Sequence, residues 1–583
     1  MSSYYDDASL MLLASGGAQK DGKVYSVKPT DGSGDFTFTR GSNLSATRVD
    51  ASQLIEKGRE NLALQSNQFD TTWANLLGGA VTSGQSGYDG SSDAWLLNGS
   101  GGFARLTQSV SLSGVFTISV YAKANTTNYL NINMLFNGVG QNVVFDLVNG
   151  VKTAQDITPV ADKMTDVGNG WWRIELTLNG NLGSLGIAMS NDGTIGGWVN
   201  FTSGSFYIQD AQLEQGLVAT PYIETGATTA QAGILENTPR FDYSGGATCP
   251  SLLLEPSRTN LINRSEYFGS YSKGGGAGFV VTDNYGTSPE GVQNACRIQY
   301  TSGNTYLLSN SPNITTGQVI TMSIYAKGTA GEQFRLYSDG SGGASANTEL
   351  TLTTDWKRYE VTSSAATANG VVTPHILVGY GSSNPATDFQ VYGWQGELAS
   401  YATSYIPTYG VSQTRAGEVC GGAGDSSTFN DSEGVLYAEI EAFANDGTNR
   451  VITISDGTTS NRVQIYFNYS NGITGGVPGQ AAISFSGDFT QNTKVAFKYK
   501  ANDFALWVNG IEVGTDIIGS APTGLNVINF DNGASGSNFY GKTKELIVFP
   551  TALSDLDLAI LTGATTYNTF AAMALALNYT VYE

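Results

Sequence analysis

Charge, histidine and proline are all scarce in this chain. Only 14% of its 583 residues are charged, against about 25% in an average soluble domain. A single histidine, His375, excludes a metal site built from several imidazoles and leaves little for histidine-based acid–base or triad chemistry. Cys249, Cys296 and Cys420 are the three cysteines, far apart and in no Cys-x-x-Cys spacing. They form no disulfide framework or redox motif, and three buried thiols acting as small hydrophobes are expected. No apolar run approaches the ~20 residues of a membrane-spanning helix, so no membrane insertion is expected. Basic residues number 29 against 50 acidic ones, a net charge of −21. That balance argues against nucleic acid and against anionic membrane surfaces, both of which require clustered Lys and Arg. No Gly-x-x-x-x-Gly-Lys-Ser/Thr loop is present to cradle a nucleotide. The opening Met-Ser-Ser-Tyr-Tyr-Asp-Asp has no basic region, and Leu10–Ala14 is too short for the apolar part of a signal peptide. Synthesis and assembly in the cytoplasm are expected.

What the chain has instead is glycine (73 residues), 40% hydrophobic and 11% aromatic content, and visibly abundant Ser, Thr and Asn. The apolar share is enough to build cores and too high for a disordered chain. Frequent turn signals between short runs of Val, Ile, Thr and Tyr indicate an all-β protein of tandem sandwiches. The strongest signal is internal repetition. Leu54–Phe69 and Leu253–Phe268 align without a gap, with Glu56 on Glu255, Arg59 on Arg258, Asn61 on Asn260, Ser66 on Ser265 and Phe69 on Phe268. Phe116–Lys123 recurs as Ile320–Lys327, Trp171-Trp-Arg173 as Trp356-Lys-Arg358, Phe206–Glu214 as Phe389–Glu397, and Ala219–Ile223 as Ala402–Ile406. The spacing holds within each motif and changes between motifs, so the length differences lie in loops between strands.

Five segments follow. Residues 1–42 read as a docking or attachment segment, and Asp31–Asp35 within it as a turn rather than a calcium loop, which needs further spaced carboxylates. Residues 43–231 and 232–420 are the two copies of the repeat. Residues 421–563 have a different pattern. They hold alternating strands at Gly434–Glu441 and Lys494–Lys500, a hairpin at Phe504–Val513 turning on Asn509-Gly510, and a short helix capped by Ser554. Residues 564–583 carry the apolar run Phe570–Leu577, expected to pack on the last sandwich or on another subunit.

The two copies resemble the carbohydrate-binding-module-like jelly rolls of bacteriophage tail, head-fibre and spike proteins. The resemblance rests on Arg240-Phe-Asp-Tyr243 leading into Leu252–Leu261, on the Tyr-Ala-Lys strands, and on Ala402-Thr-Ser-Tyr-Ile-Pro-Thr408. Residues 421–563 resemble concanavalin-A-like, laminin-G-type sandwiches, through the Trp507-Val-Asn-Gly510 hairpin and the closing Phe549-Pro-Thr-Ala-Leu-Ser554. The resemblance implies a virion fibre or spike subunit, a homotrimer, that binds a host cell-surface glycan or receptor alongside other virion proteins. Two alternatives stand beside it: a surface-polysaccharide depolymerase, and a ligand-free capsid decoration or head-fibre protein.

No catalytic residues, metal ligands or cofactors are expected, and the chain is read as not an enzyme. Glycosidase chemistry needs two carboxyls ~5–10 Å apart in one cleft. Glu214 and Glu397 are equivalents in separate copies and cannot be partners, and Glu439 and Glu441 read as a solvated strand face. Glu214 is expected to pair with Arg59, and Glu397 with Arg258, as structural ion pairs within their own copies. Sugar binding needs exposed aromatic rings. Trp171, Trp172 and Trp356 lie in strand patterns and read as core. Trp73, Trp95, Trp198 and Trp394, in or near polar or glycine-rich segments, are the candidate platforms, together with Trp507 beside the hairpin turn.

Overall fold

The structure is a computed structural model that describes residues 2–16, 19–20, 22–41, 44–76, 79–275 and 278–563. The Phe570–Leu577 run lies outside the described residues. The chain is almost entirely β, in antiparallel sandwiches, with two short helices at Ser2–Asp7 and Asp555–Leu561 among the described residues.

The first copy is one ten-stranded sheet that folds over on itself. Its strands Arg105–Ala124 and Trp171–Ser190 each run 20 residues and pair along nearly their whole length. A bulge between Ser109 and Leu112 lets them bend from one layer into the other. Leu106, Phe116, Ile118, Leu130, Ile132, Ile174, Ile187 and Leu213 fill the space between the layers. The second copy cuts the same two long strands in half and so has two separate five-stranded sheets. Phe268, Leu307, Ile324, Leu336, Ile376 and Trp394 lie in its core.

The third sandwich is not the self-contained unit 421–563 that the sequence suggests. One of its sheets is built around the strand Gly541–Phe549. One edge of that strand pairs with Leu10–Leu13 and with Ser251–Leu254, and the other pairs with Glu433–Ala442. Its second sheet continues through Val419–Ala423 into Phe36–Thr39 and Lys23–Val24. Leu10, Leu12, Phe36, Phe38, Leu252 and Leu254 share one core with Ile452, Phe497, Leu506 and Val548. The segment read as a docking element therefore completes this chain's own C-terminal sandwich. Both jelly rolls leave from that sandwich and return to it. Within it, the Asn509-Gly510 turn has the two positive φ values its hairpin requires, 49° and 85°. Ser554 Oγ accepts from the Asp557 amide at 3.2 Å, capping the last helix.

Two buried charge clusters hold the junctions. Arg40, Arg240 and Arg415 surround Glu255 and Glu418, with contacts of 2.5–2.9 Å and essentially no exposed side chain. Burial would raise the Glu255 carboxyl, but Arg415 and Arg240 beside it, with two bonds from Ser404, hold it down at about 2. Between the two jelly rolls, Lys57 of the first inserts between Glu266 (2.8 Å) and Glu290 (3.0 Å) of the second.

Candidate functional site

The repeated motif residues are braces. Asn61 Nδ2 donates to the carbonyls of Ala211 and Ile223, and its Oδ1 accepts from the amides of Ala63 and Leu213. Asn260 makes the same four bonds with Trp394, Ile406, Ile262 and Gly396. Ser66 and Ser265 each bond a tyrosine hydroxyl, those of Tyr222 (2.5 Å) and Tyr405 (2.6 Å). Each brace fastens the entry segment of a jelly roll to the segment that closes it.

The expected ion pairs do not form. Glu214 accepts from the Thr220 amide and hydroxyl and from Gln212. Glu397 accepts from the equivalent Thr403 and Gln395. The recurring carboxylate thus caps the Ala-Thr-x-Tyr-Ile turn, using local amide and hydroxyl donors instead of a distant guanidinium. Arg59 reaches across to Glu290 of the other copy. Arg258 lies 5.3 Å over the Tyr401 ring. Glu439 is not on a solvated face. It is buried, accepts from Asn492 at 2.6 Å, and lies 3.6 Å from both Lys494 and Lys544. Cys296 and Cys420 are buried as expected, but Cys249 is exposed.

None of the five candidate tryptophans offers a free platform: Trp73, Trp95, Trp198, Trp394 and Trp507 are 0–9% exposed. Trp73 and Trp95 donate to the carbonyls of Gln65 and Asn67 and pack on Phe69. Trp394 stacks on Phe268 in the second core. Trp507 lies under the C-terminal helix with Leu558 and Leu561. Trp198 sits edge-on to Phe103 and over Arg105. A polar neighbourhood in sequence did not mean exposure, because these indoles turn inward and pack on other rings and apolar side chains. Of the three read as core, Trp171 is buried, while Trp172 and Trp356 are half-buried.

An open aromatic surface occurs on the second copy instead. The sheet of Ser272–Gly275, Thr305–Leu308, Thr373–Val378, Gln333–Asp339 and Ala346–Thr351 turns Leu307, Leu336 and Ile376 inward. Strand alternation then sends Tyr306, His375, Tyr337 and Asp339 to the other face. There they line a groove of about 870 Å³ with Tyr380, Asn347, Thr373, Ser311 and Ser272. The imidazole lies 6.1 Å from the Tyr306 ring at 25° and 5.1 Å from the Tyr337 ring at 51°. His375 Nε2 is 3.3 Å from Asp339 Oδ1, and the Tyr337 hydroxyl donates to Asp339 Oδ2 at 3.3 Å. Burial pushes the His375 pKa below its ordinary value against the pull of Asp339, which favours a neutral ring.

The same face of the first copy is different. Strand register gives the correspondence: Leu106 opposes Ile187 and Ile187 opposes Ile132, as Leu307 opposes Ile376 and Ile376 opposes Leu336. Arg105 then occupies the place of Tyr306, Asn133 that of Tyr337, Gly186 that of His375 and Asn142 that of Asn347. Arg105 bonds Asn133; Asn131 and Asn133 each donate to Asn142 Oδ1 at 2.9 Å, and Asn142 donates to Asp156. These amides are buried, and Trp198 lies over the guanidinium.

Tyr306, Tyr337, Asp339 and His375 were missed by a search weighted toward tryptophan. The signal was the alternation in Gln333-Phe-Arg-Leu-Tyr-Ser-Asp339, where Phe334 and Leu336 face the core and the residues between them face out.

No family model and no curated protein sequence matches this chain. Solved structures give partial similarities. The CBM40 module of the Ruminococcus gnavus IT-sialidase, bound to α2,3-sialyllactose, is 17% identical over 24% of this chain and 88% of its own, with a TM-score of 0.21. The CBM22-1–CBM22-2 tandem of Paenibacillus barcinonensis Xyn10C is 14% identical over 59% of this chain and 98% of its own, with a TM-score of 0.20. The LG4–5 domains of the mouse laminin α1 chain are 11% identical over 42% of this chain and 88% of their own, with a TM-score of 0.17.

Proposed function

We propose that this chain is a glycan-binding adhesion protein and that the second jelly roll holds its sugar site. The observation that carries the reading is the groove of Tyr306, Tyr337, Tyr380, His375 and Asp339. Flat rings present apolar faces to the C–H side of a pyranose, while a carboxylate and small amide and hydroxyl groups meet its hydroxyls. Asp339 is the one carboxylate lining that groove among the described residues. Hydrolysis by paired carboxyls needs two, which favours holding a sugar over cleaving it. The wider setting is a fibre or spike subunit of a bacteriophage particle, probed by the resemblance of the tandem jelly rolls and supported by the low-charge, glycine-rich composition. On such a particle many weak sites act together through effective concentration, and no single groove needs high affinity. The test is a glycan array probed with the intact protein and with Tyr306→Ala/Tyr337→Ala. Binding by the first and loss by the second, both folded, supports the reading. Equal binding by both moves the site elsewhere.

A further inference from the structure

We propose that this groove, taken as the glycan site proposed above, selects uncharged sugar units, and that Asp339 is the residue that turns acidic ones away. The argument is electrostatic and rests on which charges face the groove. Among the described lining residues Asp339 is the only one with a full charge near neutral pH, and its side chain is half exposed. Its two oxygens are held by different partners, His375 on one and Tyr337 on the other. These contacts orient the carboxylate at the groove wall.

No lysine or arginine is among the described residues that line the groove. His375 is buried between two tyrosine rings, a setting that disfavours the imidazolium. Arg335 faces the same side of the sheet two residues before Tyr337, but it donates to Glu349 (3.0 Å) and to Asn347 (3.1 Å) on the next strand. Lys273 alternates to the opposite side of its strand from Ser272, toward Asp283. A uronate or sialate entering the groove would thus meet a negative charge with no guanidinium or ammonium group among the described lining residues, and would approach a chain of net charge −21. Like charges placed together at an interface are strongly disfavoured. A neutral sugar meets the same carboxylate as a hydrogen-bond acceptor for vicinal hydroxyls.

The test compares ligands that differ chiefly in charge. Oligogalacturonate and its fully methyl-esterified form share one backbone, and cello- and xylo-oligosaccharides of equal length extend the neutral set. Titration calorimetry on the intact protein is expected to show binding of a neutral member, and preference for the methyl ester over the free acid by roughly tenfold or more. Asp339→Asn removes the charge while keeping one acceptor oxygen and the size of the side chain, and is expected to bring the ratio of methyl-ester to free-acid affinity close to one, whatever its effect on neutral binding. Equal or tighter binding of the free acid by the unaltered protein overturns this inference and leaves glycan binding standing. A gap that persists in folded Asp339→Asn overturns the role of Asp339. No binding of any member by the folded protein counts against the sugar-binding reading itself.

Discussion

The two jelly rolls share a frame and differ on one face. Their frames share the same braces: Asn61 and Asn260 make the same four hydrogen bonds, and Thr220 and Thr403 bond the equivalent carboxylates Glu214 and Glu397. Even the left-handed residue at the bulge before the closing motif is kept, as Asp210 (φ 54°) in one and Gly393 (φ 65°) in the other. On the outer face the positions held by Tyr306, Tyr337 and His375 are held by Arg105, Asn133 and Gly186. One set leaves ring faces free; the other spends its polar groups on one another under Trp198. Polar groups that bond one another in the interior are not presented to a ligand.

The largest effect is expected from the shared brace. Asn61→Ala and Asn260→Ala each strand several buried backbone groups, at a cost of roughly 3 kcal/mol or more. Hydrogen exchange under mild denaturant should show each variant opening its own jelly roll by a similar amount, and a large inequality would break the claim of equal frames. Next is Trp198→Ala, which removes the cover from the first copy's amide network and is expected to lower the stability of that copy by about 2 kcal/mol without altering glycan binding. Tyr337→Ala is expected to weaken sugar binding by about tenfold, whereas Asn133→Ala at the matching position leaves binding unchanged.

The smallest effect sharpens the contrast at the bulge. Burial, with Asp93, Asp89 and Glu224 nearby, pushes the Asp210 carboxyl up to about 7 against the hydrogen bond from Tyr88. A raised folded value means the folded state holds the proton longer than the unfolded chain, so this contribution is full below about pH 4 and is lost as the pH rises through 7. Asp210→Asn, which keeps the left-handed conformation and an acceptor for Tyr88, should therefore stabilise the first copy more at pH 8 than at pH 5. The difference is on the order of 1 kcal/mol. Gly393→Asn in the second copy should show no such pH dependence.

Much of this architecture was legible in the chain. Alternation and repetition located the strands, the equivalence of the two copies and the Asn509-Gly510 hairpin, because period and turn chemistry are local. The third sandwich was misjudged at its edges. Leu10–Leu13 and Leu252–Leu254 pair with Gly541–Phe549 across hundreds of residues, and no local pattern records a partner that distant. The ion pairs failed for a related reason. Joint recurrence of Arg59 with Glu214 showed that both matter to the fold, but not that they touch. The proposed site does not stand out in the sequence when tryptophan is taken as the mark of a platform, because Trp394 and Trp73 are large apolar groups that the cores absorb. Tyrosines at outward strand positions line the groove with half-buried rings.

The most direct test of the account is a hydrogen-exchange footprint of the intact protein with the tightest-binding neutral oligosaccharide. Protection is expected across 305–311, 335–347 and 373–380 of the second copy, with the matching strands around Arg105, Asn133 and Gly186 unchanged. Protection of the first copy's face, or of neither, would contradict the assignment of recognition to the second.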